Sequence, residues 1–397
     1  MTAVRPFAAR VVKQEWAQRV VCPMHDAIPV SARATYLADN PSSYLHVMRS
    51  EQDLPDATLT QIGETNARAL QALLDAGAYG QELEPSMFVY RVHRGTEEHV
   101  GIVAEVALEA FVDGQVLGHE AVHEARVEAL THHFAAVPAR SELVALMHRF
   151  DPDVTAVLQR TIAGPPDLHL HDATGVEQAV WRLAARDVTV VEERLGAARH
   201  YIADGHHRVA ASVRQWREAG EPADSAVLSL LYPEDQMHLL AFHRRVAGPI
   251  EVDRTLSALA AVCELADVDL ANRQRGRFDM YLAGRWTRLT PRHGNDRPGA
   301  AGLDVTQLDR LVLAPLLGVR TGDARVEYVS ELADLDDATA RCEADGGALF
   351  RMVAPSLDQL VDVAERGEVM PPKSTYFEPK PRAGIFLRFG AAAHLAG

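Results

Sequence analysis

The sequence has little cysteine, no concentrated run of either charge and no long hydrophobic segment, and each absence narrows what the chain can be. Its three cysteines, Cys22, Cys263 and Cys342, are far apart, odd in number and form no CxxC pair. That argues against a disulfide framework or a cysteine-based zinc site and for a reducing compartment. Lys and Arg number 40 against 55 Asp and Glu, a net charge of −15. With neither sign clustered, neither a nucleic-acid stripe nor a membrane-binding face is visible. The N-terminus, MTAVRPFAARVVKQEW, places charges where a signal peptide needs an apolar core. No later stretch approaches about 18 uninterrupted apolar residues, so the expected location is the cytoplasm. An acidic balance still permits a small anionic ligand, because a few cations and backbone N–H groups can converge on one pocket.

What is present is an ordinary globular balance, 47% hydrophobic and 24% charged over 397 residues, enough for one large core or two modest ones. The pattern predicts a mixed α/β fold. Asn40-Pro41 reads as a turn into a strand, residues 59–79 as a helix, and Phe88–Val92 and Val100–Phe111 as strands, with Asp113-Gly114 as a hairpin signal beyond them. GHEAVHEARVEALTHHFAAV favours a helix ended by Pro138, followed by a second helix to about Phe150. Between 151 and 198 we expect a histidine patch at His169 and His171, a helix at Glu177–Ala185 and a strand at Val188–Val191. From about 250 helices are expected to dominate, with a strand pair near 278–289 and a turn-rich loop at 291–302. A helix near Leu357–Arg366 and a closing strand GIFLRF follow.

The clearest unit is RHYIADGHHRVAASVRQWREAG, which reads as strand, glycine turn and helix. A helix N-terminus presents N–H groups and a partial positive charge that together hold phosphate. Gly205 permits close backbone approach, Arg208 can fork onto phosphate oxygens, and His206 and His207 can donate hydrogen bonds or shuttle a proton. The bland alternative is that Asp204 merely caps the helix and the other residues sit on its solvated first turn.

ADGHHR also resembles the signature of a bacterial family of unknown function numbered 1015 (DUF1015). Further pieces follow the family's order: NPSSYLHV, GIVAEV, GHE, HLLAFHRRV, LDVTQLDRLVLAPLLGV and VMPPKSTYFEPKPRAG. DGHHR in turn is similar to the phosphate-binding turn of the ParB/sulfiredoxin superfamily, which includes kinases of free serine. The resemblance implies a catalytic ParB/sulfiredoxin-like core with an N-terminal elaboration over 1–248; the residue pattern then gives a mainly helical part over 249–365 and a C-terminal loop and strand returning to the core over 366–397. The resemblance also implies transfer of a phosphoryl group from ATP or ADP, with Mg²⁺, to a small hydroxylated metabolite, free serine being the favoured acceptor. Gly205, His206, His207 and Arg208 would hold the nucleotide, and Asp204, Glu120 and His207 would be catalytic. Asp204 and Glu120 would also be the metal-holding carboxylates.

MPPKSTYFEPKPRAG sets Lys373, Ser374, Thr375 and Lys380 on a proline-stiffened loop suited to gripping an anionic substrate, or is a plain surface turn. His243 and Arg244, expected at a strand end, are candidates for the pocket wall or ordinary surface residues. Two other functions compete. The same cradle could serve a nucleotide-gated switch of the ParB type. His119-Glu120-Ala121-Val122-His123 fits H-E-x-x-H, the two-histidine zinc site of a hydrolase, with Glu142 as a third ligand. The expected partners are nucleotide and small-molecule substrate, without nucleic acid or membrane; a homo-oligomer is left open.

Overall fold

The computed structural model describes residues 2–294, 297–320 and 322–390. The fold is mixed α/β, and the chain divides into two compact units. The first comprises Met1–Leu117, Val122–Met237 and Pro379–Gly397; the second comprises Gly118–Ala121 and His238–Glu378.

The first unit is built on a nine-stranded sheet. Its strands run in the order Val116–Leu117, His200–Asp204, Val144–His148, Ala226–Pro233, Glu97–Ala107, Phe88–Arg94, Glu177–Arg182 and Leu168–His171, with Val4–Arg5 also paired to Glu97–Ala107. Glu97–Ala107 is buried from His99 onward, as a strand covered on both faces must be. Gly101 lies where an added Cβ would meet the Leu231 carbonyl and the Tyr232 ring at 2.8 Å, so only glycine lets the strands pack there. The hairpin into this strand turns at Gly95, whereas Asp113-Gly114 ends the short helix Leu108–Val112 instead.

Several expected elements change identity. Val144–His148 is a strand, not a helix: all five residues are buried, which leaves no polar face for a helix to turn to water. Glu177–Arg182 is a strand and Ala185–Ala197 a helix, the reverse of the expected pair. Val191 and Leu195 fall on one helical face there, and that spacing outweighs the strand preference of the valines. Tyr44–Val47 is a 3₁₀ turn where a strand was expected. The C-terminal strand Phe386–Phe389 pairs with Arg10–Val11 and Ala139–Arg140, and Arg388 and Arg5 both bond Glu105.

The second unit contains an antiparallel six-stranded sheet. Its order is Cys263–Asp267, Arg285–Pro291, Phe278–Leu282, Ala348–Arg351, Phe242–Val246 and Val326–Ser330. Residues 249–365, expected to be mainly helical, thus alternate helix and strand; the helices include Val252–Val262, Leu335–Asp345 and Leu357–Glu365. The turn-rich stretch expected at 291–302 includes positions 295 and 296, which lie outside the described residues. Among the described residues no helix is long and apolar enough to cross a membrane.

Candidate functional site

In the first unit, His200–Asp204 runs beside Val144–His148 with a register shift between Ile202 and Asp204. A bulge of this kind re-aims the next side chain. Gly205 follows at φ +107°, a conformation that L side chains rarely adopt, and opens the helix His206–Glu218. The side-chain cap that the bland alternative gave to Asp204 does not form: the N-cap is Gly205.

Asp204 instead faces two cations. Its Oδ2 accepts from Arg208, and its Oδ1 accepts from Lys380 Nζ at 2.8 Å. Only 17% of the aspartate side chain is exposed. Burial alone would raise its carboxyl, but Lys380 and Arg208 more than offset this and hold it well below the usual carboxylate range. The guanidinium is fixed a second time by its bond to the Leu143 carbonyl at 2.6 Å. Lys380, expected beside Lys373–Thr375, therefore joins the DGHHR turn.

The same ammonium reaches a residue that the sequence did not single out: Lys380 Nζ is 3.3 Å from Asp26 Oδ2. Asp26 lies on the short turn His25–Ala27. His25 bonds Asp53 at 2.6 Å and buried Arg33 at 3.0 Å, which steadies that turn. Ser50 also joins the group, but it meets the same His25 nitrogen that Asp53 does, so the three are not a serine-histidine-aspartate relay.

His206 is buried. His207 Nε2 accepts the His123 backbone N–H at 3.0 Å, and the two rings stack at 5.8 Å. That nitrogen is therefore committed to the backbone.

In the second unit, Glu120 is exposed on the irregular segment Gly118–Ala121. The helix that follows begins only at Glu124, so the H-E-x-x-H residues precede it and do not share a helix face. The His119 carbonyl accepts from Met370 N at 2.9 Å, an engagement that holds this segment out of the helix. Glu142 lies beside His133 at 3.7 Å. Against burial, which raises it, that histidine and backbone N–H groups hold the Glu142 carboxyl down to about 2. These findings remove the premise of the zinc site.

The loop after Met370 divides its expected contacts. Ser374 is buried and its hydroxyl donates to the Pro371 carbonyl at 2.6 Å. Thr375 is buried, 3.5 Å from His119 Nε2. Lys373 is exposed, with its ammonium 5.2 Å from the centre of the Phe242 ring. His243 and Arg244 are not at a strand end but inside the buried strand Phe242–Val246. His243 Nδ1 accepts from Met352 N at 3.1 Å, and burial pushes its pKa down to about 4.

The family model described as "Protein of unknown function (DUF1015)" matches residues 4–310. The chain belongs to this family. No curated protein matches it. Among solved structures, this DUF1015 member is similar to free serine kinase in complex with AMP, at 13% identity and a TM-score of 0.39 over 73% of this chain and 92% of that one. SbnI with a C-terminal truncation, from Staphylococcus aureus, matches at 13% identity and a TM-score of 0.39 over 71% and 85% of the two chains. A conserved hypothetical protein from Pyrococcus furiosus matches at 13% and 0.35 over 76% and 98%.

Proposed function

We propose that the first unit binds a nucleotide through its phosphates at the Asp204–Arg208 turn and transfers a phosphoryl group to a small hydroxylated metabolite. One observation carries this reading: Arg208 and Lys380 converge on Asp204 at the glycine turn that opens a 13-residue helix. Two cations and a helix N-terminus make a locus where phosphate oxygens can take the place Asp204 occupies.

The chemistry then falls to few groups. Arg208 and Lys380 neutralise the transferring phosphoryl group, which is most of what such a reaction asks of a protein. Asp204, ionised between the two cations, is a poor proton acceptor and holds them in place until phosphate oxygens take its position. It does not fit a Mg²⁺ ligand either, because each of its oxygens already faces a cation. Asp26, partly open to solvent and held by the same ammonium, takes the proton of the attacking hydroxyl. A bond forms from that oxygen to phosphorus, the bond from phosphorus to the nucleotide oxygen breaks, and the nucleotide leaves with the electron pair.

The test is a thermal-shift titration with ATP and ADP on the wild type and on Arg208→Ala, followed by a search for phosphorylated serine and other hydroxylated acceptors. A nucleotide-dependent rise in melting temperature that the variant loses is expected. Equal nucleotide response in both proteins overturns the site, and nucleotide loss without a phosphorylated acceptor favours the switch.

A further inference from the structure

Lys373 adopts φ +55°, in the left-handed region. Glu221 and Ala283 share this conformation, but each adjoins a glycine at positive φ, Gly220 and Gly284, within a glycine turn. Lys373 follows two prolines and precedes Ser374, so no glycine eases its backbone. A glycine or asparagine would hold such a turn at less cost, and a lysine kept in that conformation points to a use for its side chain.

The turn is pinned from both sides. Ser374 donates its hydroxyl to the Pro371 carbonyl at 2.6 Å. Arg244, 2% exposed, donates to the Pro372 carbonyl at 3.1 Å and to the Phe242 carbonyl at 2.9 Å, with its guanidinium 4.7 Å from the Tyr328 ring centre. Among the described residues, neither Arg244 nor Lys373 forms an ion pair with a carboxylate; carbonyls and aromatic faces are their partners. Two positive charges thus meet at one turn of a chain whose net charge is −15, with Asp309 acting on Arg244 through space. The chain is also sparing with lysine, having only Lys13, Lys373 and Lys380.

We propose that this turn of the second unit is a binding site for small carboxylates. The Lys373 ammonium meets the anion, and Arg244 is a positioning residue that holds the turn and adds positive potential beneath it. Phosphate is the poorer fit, because its second charge calls for a second reachable cation and Arg244 is buried on carbonyls. Of the residues expected to touch substrate here, Ser374 and Arg244 act instead by fixing the backbone from which Lys373 reaches out.

With three lysines, reductive ¹³C-methylation gives resolvable signals, and Lys373→Arg assigns the one of interest. The full chain is titrated with sodium acetate and sodium glycolate, with sodium chloride and glycerol as controls. The Lys373 signal starts displaced by the Phe242 ring current and moves saturably with the carboxylates alone. A Lys373 signal that merely tracks Lys13 overturns the site. Lys373→Gly keeps or raises the melting temperature, because the backbone strain goes, while abolishing the carboxylate response. A clear fall in its melting temperature would show a structural prop on Phe242 and overturn the proposal. Arg244→Met weakens the Lys373 response about tenfold, the loss of one anchoring hydrogen bond. Should it fail to fold, Ser374→Ala makes the same test, and an unchanged Lys373 response in the folded variant removes the positioning role.

Discussion

Lys380 and Asp204 stand 176 residues apart, and the lysine ammonium donates to the aspartate carboxylate at 2.8 Å. Through this one bond the C-terminal segment completes a cluster that begins at a strand end in the middle of the chain. With Arg208 on its other oxygen, Asp204 stays ionised while its folded-state carboxyl is depressed. A depressed carboxyl contributes stability that is full above the ordinary value of 3.8 and is lost as pH falls through the folded value. Asp204→Asn is expected to lack that component, so urea midpoints measured down the acid range should fall less steeply in the variant than in the wild type.

A second pH effect has the same direction and a different window. Burial pushes His200 from 6.5 down to about 4, and its Nε2 donates to the Leu195 carbonyl. Between those values the unfolded chain takes up the proton and the folded one does not, so stability is lost as pH falls from 6.5 towards 4. Over the whole window this amounts to about 3 kcal/mol. His200→Gln should flatten the dependence, read as urea unfolding free energies at several pH values.

Gly205→Ala tests the turn itself. The added Cβ would sit 3.0 Å from the Arg208 guanidinium at φ +107°. Arg208 cannot yield without leaving Asp204 or the Leu143 carbonyl. We expect a stability loss of about 1–3 kcal/mol by chemical denaturation, together with loss of the nucleotide-dependent thermal shift.

Asp26→Asn separates binding from chemistry. Arg208 and Lys380 remain, so nucleotide still raises the melting temperature, while turnover of the acceptor falls by about 10²–10⁴ as for other lost general bases. Retained turnover would remove the base role from Asp26.

The strand, glycine turn and helix at 200–218 were legible because local chemistry decides them: a β-rich run, a residue permitted positive φ, and an alanine-rich helix with Val209, Ala211 and Trp216 buried. Val144–His148 was not, since a short apolar run suits a buried strand or a helix equally until its neighbours are known. The exchanged strand and helix between Glu177 and Ala197 failed for a related reason, β-branched residues recurring at helical spacing.

The sequence by itself determined that the chain is a mixed α/β protein, which family it belongs to, and that Asp204, Gly205 and Arg208 lie together at a helix start. Only the tertiary structure decided that Lys380 pairs with Asp204, that Asp26 joins them, and that Ser374, His243 and Arg244 turn inward. The division follows from range. Propensity and periodicity act over a few residues, whereas which charge finds which partner depends on how distant segments are brought together in the fold, and no local pattern records that.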